Sequence, residues 1–189
     1  IKLMKHHIKL KNEELNRVNV NEFKVQKKIP VTIVLDNVRS LNNIGSVFRT
    51  SDALNVEQIY LCGISATPPH PEIYKTALGA EESVTWLYFS DTIEAINKLH
   101  AEGHRVFAIE QTLGCIDLRD FTPSLNESVA FVFGNELKGV DQSVIDICDE
   151  VIEVPQFGTK HSFNISVTAG IVLWDYFSKF WQIKKRARN

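Results

Sequence analysis

Residues 154–167 read Val154-Pro155-Gln156-Phe157-Gly158-Thr159-Lys160-His161-Ser162-Phe163-Asn164-Ile165-Ser166-Val167. A strand-like run stops at a proline, a glycine loop and Ser-x-Asn follow, and a long apolar run typical of a helix comes next. Polar side chains and free main-chain amides are therefore expected together at a helix N-terminus, which suits ligand binding.

Two further loops of the same kind come earlier in the chain. One is Asn43-Ile44-Gly45-Ser46-Val47-Phe48-Arg49, and the other is Phe133-Gly134-Asn135-Glu136-Leu137-Lys138-Gly139-Val140. Glycines directly after strands let the main chain approach a ligand closely. Each polar residue alone has an ordinary explanation as a helix cap, a loop acid or a solvated helix residue. Three such loops in order indicate one shared site.

Strand-like and helix-like segments alternate along the chain. Strands are predicted at Val31–Leu35, Gln58–Cys62, Val84–Phe89, Arg105–Ile109, Val129–Phe133 and Val151–Val154. Helices are predicted at Gly45–Leu54, from Asp91 to Gly103, at Asp141–Cys148 and at Ile165–Trp181, with a proline-rich loop at 68–71. The alternation predicts an α/β fold with a parallel sheet flanked by helices and a site at the carboxyl ends of the strands.

The charge is distributed unevenly. Residues 1–28 carry a net charge of +5 and residues 179–189 another +5, while the segment between them carries −12. We therefore divide the chain into a basic N-terminal extension (1–28), one α/β domain (29–183) and a basic C-terminal tail (184–189). Basic ends on an acidic body predict a polyanionic partner, although such ends can also serve only to keep a protein soluble.

The predicted last helix is apolar almost all round. Its large apolar residues include Ile171, Trp174, Phe177 and Trp181. A helix of this kind lies either deep in a core or against another subunit. A domain of this size has little room to enclose one completely, which favours a subunit interface.

Composition narrows the class of protein. The chain is 44% hydrophobic and 23% charged, as in an ordinary soluble domain, and no run approaches the roughly 18 apolar residues of a membrane span. Three scattered cysteines, Cys62, Cys115 and Cys148, indicate a reducing compartment, the cytoplasm. The histidines lack metal-ligand spacing, so no metal is expected. Neither a G-x-G-x-x-G fingerprint nor a Walker loop is present, which disfavours a generic nucleotide-binding protein.

The three loops together resemble the three motifs of the SpoU/TrmH-type RNA 2′-O-methyltransferases of the SPOUT superfamily. The resemblance runs from about Pro30 to Trp181. The first motif is matched by Asn43-x-Gly45-x-x-x-Arg49-Thr50-x-Asp52-Ala53, the second by Phe133-Gly134-x-Glu136-x-x-Gly139-Val140, and the third by Val154-Pro155 through Ser166. Two departures are Gln156, where the family usually has Met, and Phe163, where it usually has Leu.

The resemblance implies a C-terminal deep trefoil knot, with S-adenosylmethionine bound in it and held mainly by main chain. By position, Gly134, Val154 and Phe163 would bracket the adenosine, and Gly139 and Gly158 would shape the cofactor loops. It also implies a homodimer packed through the knot, with the site completed across the interface. The substrate would be a ribose 2′-hydroxyl of tRNA or rRNA.

The residues that would carry the chemistry are Arg49, Asn43, Glu136, Ser162 and Asn164. The family is described with the motif-one arginine as the base, but a guanidinium is not expected to lose its proton. We therefore interpret Arg49 as a clamp on the phosphate beside the target ribose. Asn43 and Asn164 would position the ribose and each other, Glu136 would orient Arg49 or Asn43, and Ser162 would lie near the transferred group.

Two alternatives remain within the sequence interpretation. The first is a SPOUT enzyme that methylates a guanine nitrogen instead of a ribose. The second is a catalytically silent knotted module that binds RNA, which the joint presence of Arg49, Glu136, Ser162 and Asn164 disfavours.

Overall fold

The computed structural model describes residues 7–188, so the ends of the predicted extension and tail, residues 1–6 and 189, lie outside the described residues. Within residues 7–188 the strands form one parallel sheet in the order β3-β2-β1-β6-β4-β7-β5. The strands are β1 (Ile29–Asp36), β2 (Val56–Cys62), β3 (Thr85–Phe89), β4 (His104–Ile109), β5 (Ile116–Asp117), β6 (Ser128–Phe133) and β7 (Glu150–Glu153).

Helices cover both faces of this sheet. After a 3₁₀ turn at Asn12–Leu15 they are α1 (Val20–Val25), α2 (Leu41–Ala53), α3 (Pro71–Ala77), α4 (Ala80–Ser83), α5 (Thr92–Ala101), α6 (Gln142–Ile145) and α7 (Ile165–Arg186). One core joins the sheet to α1, α2, α3 and α7, and a second core joins the other face to α5 and α6. The predicted α/β class is confirmed. The knot stays a prediction.

The crossing of α2 and α3 depends on a glycine. A Cβ added to Gly45 would lie 2.2 Å from Thr76 Oγ1 and 2.3 Å from the Ile73 carbonyl oxygen. Thr76 Oγ1 also donates a hydrogen bond to the Asn42 carbonyl at 3.0 Å. Only a residue without a side chain allows the two helices to pack this closely. Gly45 therefore sets the position of α2, which carries the first motif, against α3.

Helix α7 buries one face and exposes another. Ala169, Val172 and Tyr176 are fully buried against the sheet. Trp174 is 61% exposed, and Val167 and Trp181 are also exposed. One face of α7 therefore belongs to the core, as the first alternative predicted. The opposite face is an exposed apolar stripe that is available to a second subunit.

Lys179 ties α7 to the loop that follows β5. Its ammonium donates hydrogen bonds to the carbonyls of Leu118 and Phe121, both at 2.8 Å, and to that of Arg119 at 3.2 Å. It also lies 2.8 Å from Asp175 one helical turn away. The middle of the last helix is thus held by main-chain groups of a distant part of the chain.

Several boundaries differ from the sequence predictions. Pro71 starts α3 instead of ending a loop, because the first turn of a helix does not use the N–H that proline lacks. Helix α2 begins at Leu41, four residues early, because the Ser40 side chain caps it. Helix α7 continues to Arg186, so part of the predicted tail is its basic last turn, which complements the helix dipole.

Candidate active site

An open cleft of about 730 Å³ lies at the carboxyl ends of β4, β6 and β7. Its lining comes from residues 109–112 at and after the end of β4, and from residues 133–140, Gln142 and Ile145 at and after the end of β6. Val154 and Gln156 after β7, residues 161–165 and Thr168 of α7 complete it. These strands are adjacent and parallel, so their loops meet at one edge of the sheet. The second and third loops singled out in the sequence both contribute.

The loop after β6 is closed on itself by backbone contacts. The Asn135 N–H donates to the Gly139 carbonyl at 2.9 Å, and the Gly139 N–H donates to the Asn135 carbonyl at 2.8 Å. A Cβ at Gly134 would lie 2.1 Å from the Gly139 carbonyl carbon. Gly139 has a φ of +71°, which favours glycine. Both glycines are therefore required for the tight turn of this loop. The loop in turn forms one wall of the cleft.

Glu136 binds the N-terminal end of α2. Its carboxylate accepts hydrogen bonds from the Arg39 N–H at 3.0 Å and the Ser40 N–H at 2.9 Å. It also accepts one from Asn43 Nδ2 at 3.1 Å. The Arg39 and Ser40 N–H groups directly precede α2, at the end of a helix where main-chain N–H groups lack intrahelical partners and the dipole favours negative charge.

The ionisation of Glu136 reflects these contacts. Burial opposes the charged form, but the hydrogen bonds from the main chain of Arg39, Ser40 and Glu136 itself and from the Asn43 side chain outweigh it. The pKa of Glu136 is therefore lowered from its ordinary value. The carboxylate is held ionised as an acceptor, and a group held in this way is poorly suited to act as a base.

A hydrogen-bonded chain continues from Glu136 to α7. Asn164 Nδ2 donates to Asn43 Oδ1 at 3.2 Å. Asn164 is the N-cap of α7, and its Oδ1 accepts from the Ser166 N–H at 2.9 Å. The structure thus joins one residue from each of the three loops, namely Asn43, Glu136 and Asn164.

The remaining predicted site residues occupy different positions. Phe163 lines the cleft and is partly exposed, Val154 lines it from a buried position, and Ser162 lies on it as an exposed residue. Gly158 lies outside the lining, in an exposed part of the same loop where an added Cβ would meet no atom within 4 Å. Its cofactor role stays a prediction.

Arg49 is not brought to the cleft of its own chain. It is exposed near the middle of α2 and is absent from the cleft lining. Among residues 7–188, no side chain forms an ion pair with it. The contact between Glu136 and Asn43 therefore exists here without a corresponding contact between Glu136 and Arg49.

Two cleft residues directly after β4 were missed in the sequence. Glu110 accepts hydrogen bonds from the Gln111 N–H at 2.9 Å and the Val140 N–H at 3.1 Å. Gln111 Nε2 donates to the His161 carbonyl at 3.0 Å. The pair connects β4 to the loops that follow β6 and β7. Their position in the sequence could have indicated this role, because they directly follow the predicted strand Arg105–Ile109, as Gly134 directly follows the predicted strand Val129–Phe133.

The lining of the cleft combines apolar walls with carboxylates. Ile109, Val154, Phe163 and Ile165 can cover an aromatic base, while Glu110 adds negative charge. Apolar walls with a few placed polar groups are typical of a site for a small molecule. Within the described part of the chain, no cluster of His, Cys, Asp or Glu could hold a metal ion. Across residues 7–188, no helix is both long and apolar enough to cross a membrane.

The fold and the cleft define a parallel α/β protein with a ligand site formed by loops at the carboxyl ends of its strands. The model of the SpoU rRNA Methylase family matches residues 30–174. That match spans most of the chain and includes all three loops. The chain belongs to this family.

Individual relatives agree with this assignment. The chain is similar to a 23S rRNA (guanosine-2′-O-)-methyltransferase RlmB of Neisseria meningitidis serogroup B, with 30% identity over 76% of this chain and 56% of the relative. The chain thus spans just over half the length of that curated relative.

Solved structures share the fold. An AdoMet-bound rRNA methyltransferase from Sinorhizobium meliloti superposes with a TM-score of 0.73 at 26% identity, covering 79% of this chain and 56% of that one. A TrmH/SpoU tRNA modifying enzyme of A. aeolicus gives a TM-score of 0.77 at 21% identity, covering 87% and 82%.

Proposed function

We propose that this protein is an S-adenosylmethionine-dependent RNA methyltransferase that modifies a ribose 2′-hydroxyl of tRNA or rRNA. The observation that carries the proposal is the hydrogen-bonded chain from Glu136 through Asn43 to Asn164 beside the cleft. It unites the three loops on which the family resemblance rests. The Neisseria relative, which is named as a guanosine-2′-O-methyltransferase, and the AdoMet-bound structure of the S. meliloti rRNA methyltransferase support the proposal.

The residues around the cleft would hold the cofactor in a defined orientation. S-adenosylmethionine supplies a methyl group carried on a sulfonium. Val154 and Phe163 would contact the adenine, and the closed loop of Gly134 and Gly139 would present main-chain groups to the ligand. Ser162 is exposed on the lining and is available to bind near the transferred group.

A ribose hydroxyl is a weak nucleophile, so the protein must fix its position and stabilise the negative charge that develops on it. In our proposal Asn43, which donates to Glu136, and Asn164, which donates to Asn43, hold the ribose. Arg49 clamps the adjacent phosphate with its planar guanidinium. Glu136 acts as a positioning residue, since its carboxylate is occupied by hydrogen-bond donors.

The protein would act as a homodimer. The exposed stripe of α7 repeats every seven residues at Val167, Trp174 and Trp181, with Phe177 beside them. The rings of Trp174 and Phe177 stack 5.8 Å apart, and those of Phe177 and Trp181 lie 6.1 Å apart. Such a stripe suits packing against a second copy. Arg49, which is exposed and outside its own cleft, would then complete the cleft of the partner subunit.

The N- and C-terminal basic segments would bind RNA phosphates. Lys184, Lys185 and Arg186 lie together on the last turn of α7, which concentrates their charge. A reducing location, the cytoplasm, fits the cysteines, because Cys62, Cys115 and Cys148 are all free.

The activity is tested by incubating purified protein with cellular tRNA and rRNA and labelled S-adenosylmethionine, followed by digestion to nucleosides. We expect the label in 2′-O-methylnucleosides. Label on a guanine nitrogen would identify a base methyltransferase instead. Cofactor and RNA binding without any label would identify a silent binding module.

The dimer is tested by light scattering at micromolar concentration. We expect twice the chain mass for the native protein and a shift towards monomer for Trp174→Glu, because a charge in an apolar interface is costly. The exposed control Tyr74→Glu lies on a different helix, α3, and should leave the mass unchanged. A native protein with monomer mass would contradict the proposal.

A further inference from the structure

Glu110 is a cleft carboxylate to which the proposed reaction gives no role. It follows β4 directly, and β4 lies between β6 and β7 in the sheet. The register pairs Ala108 with Val132, which places Glu110 beside Gly134. On the other side Val154 follows β7. Glu110 therefore stands between the two residues that would flank the adenosine.

The carboxylate of Glu110 is fixed but not saturated. Oε1 accepts one main-chain hydrogen bond, from Gln111, and Oε2 accepts one, from Val140. A carboxylate has about four acceptor positions, two on each oxygen. Each oxygen of Glu110 thus retains a free position. Glu136 differs, because its contacts with Arg39, Ser40 and Asn43 leave less capacity for a ligand.

Gly139 holds this arrangement in place. A Cβ on Gly139 would lie 2.1 Å from Glu110 Oε2, so a side chain there would push the carboxylate away. Gly139 therefore has two tasks, since it gives the loop its turn and leaves room for Glu110. The result is a pair of adjacent acceptors at the cleft, held by main chain on both sides.

Two adjacent acceptors match two adjacent hydroxyl donors. An acidic side chain at the carboxyl edge of a parallel sheet can bind the ribose hydroxyls of an adenine nucleotide. An ammonium group would need only one acceptor direction and would lie at the far end of the ligand from the adenine. Glu110 lies beside the residues assigned to adenosine, which favours the sugar.

We infer that Glu110 binds the ribose 2′,3′-diol of the cofactor's adenosine and selects ribonucleoside ligands. This inference rests on the proposed function, because it concerns the same cleft. Glu110 would be a binding residue that acts before methyl transfer and independently of RNA.

The test measures ligand binding by calorimetry and by competition. The probes are S-adenosylhomocysteine, 5′-methylthioadenosine, which lacks the amino acid, and 5′-methylthio-2′,3′-dideoxyadenosine, which also lacks the diol. The proteins are native, Glu110→Gln, Glu110→Asp and the control Glu57→Gln, an exposed glutamate on β2 outside the cleft. Thermal unfolding checks that each variant is folded.

We expect Glu110→Gln to weaken binding of both diol-containing probes by about 10- to 100-fold, the scale for a hydrogen bond to a charged group. The dideoxy probe should bind native protein and Glu110→Gln equally. Glu110→Asp, which keeps the charge on a shorter side chain, should show the same probe dependence with a smaller loss. Glu57→Gln should match native protein throughout.

Three outcomes would overturn the inference. An equal loss for all probes would mean that Glu110 only tethers the loop at Val140. A loss for S-adenosylhomocysteine but not for methylthioadenosine would place the contact at the amino acid. If native protein binds no S-adenosylhomocysteine, the proposed cofactor fails and this inference fails with it.

Discussion

Replacing Glu136 by glutamine tests whether the carboxylate organises the site. Glutamine keeps the shape and one acceptor oxygen, so Ser40 and Asn43 can still donate to it. The Arg39 N–H then faces an amide NH₂ group, which cannot accept its hydrogen bond. It can donate to water instead, because this position is exposed. The change therefore removes charge and one contact without opening a cavity.

The magnitude follows from the three hydrogen bonds. A bond to a charged acceptor contributes about 1 kcal/mol more than a neutral one. Three such bonds would together contribute about 3 kcal/mol, but Glu136 is partly exposed and solvent screens the charge. We therefore expect the free energy of unfolding to fall by about 2 kcal/mol. For a chain of this length that is a fall of about 4–8 °C in Tm.

The effect should depend on pH in a defined direction. The folded state lowers the pKa of Glu136, so its contribution is present above the ordinary glutamate pKa of about 4.3 and is lost as pH falls through the folded value. Urea unfolding at pH 7 should separate native protein from Glu136→Gln. The difference should shrink as the pH falls below the ordinary glutamate range and native Glu136 becomes protonated.

The matched control is again Glu57→Gln, which removes one exposed carboxylate without these donors and should change stability by less than about 0.5 kcal/mol. The reasoning is refuted if Glu136→Gln unfolds like native protein at pH 7. It is equally refuted if the difference between them stays constant down to the acid limit.

Arg49→Ala should reduce methyl transfer by about 10²–10³-fold or more, the scale for losing one transition-state donor, with S-adenosylhomocysteine binding and dimer mass unchanged. Arg49→Lys should restore little of the rate, because it lacks the planar fork, and near-native turnover of Arg49→Ala would remove this residue from the mechanism. Gly45→Ala should lower stability by about 1–3 kcal/mol through overpacking against α3, as followed by urea unfolding, whereas the equivalent change at Gly158, where an added Cβ meets no atom within 4 Å, should be tolerated. Neutralising Lys184, Lys185 and Arg186 to glutamine should weaken RNA binding and flatten its dependence on salt, measured by filter binding at several ionic strengths, while an unchanged slope would show that this turn does not contact phosphate.

The sequence predicted the parts of the fold that have strong local patterns. The β-branched runs at β1 and β6 are buried strands because both faces of the sheet are covered, and such strands appear as continuous apolar segments. The strand order was not predictable from these runs, since the pairing of β1 with β6 joins residues about 100 positions apart.

Other elements were missed for local reasons. The prolines at 68–71 suggested only a loop, yet Pro71 begins α3 and Thr76 of that helix packs on Gly45. Strand β5 has two residues, too few for any alternation to show.

In the site, the motif residues on adjoining loops were predictable as a group, and Asn43, Glu136 and Asn164 do meet. The acceptor role of Glu110 was not predictable, because it depends on main-chain groups of Gln111 and Val140 whose positions the sequence does not give. The position of Arg49 outside its own cleft was not predictable either. The spacing of residues along α2 does not show which side of the helix will face the cleft.

The position of β6 has a consequence for how the chain is synthesised and folded. Strands β1 and β4 are made early, but the strand that joins them emerges only after both, and α7 closes the site last of all. Until then β1 has an unpaired edge, which is the kind of surface that promotes aggregation. Contacts over such long separations also slow folding. A nascent chain stopped before residue 128 should therefore be insoluble and unable to bind a nucleoside, whatever its first half contains.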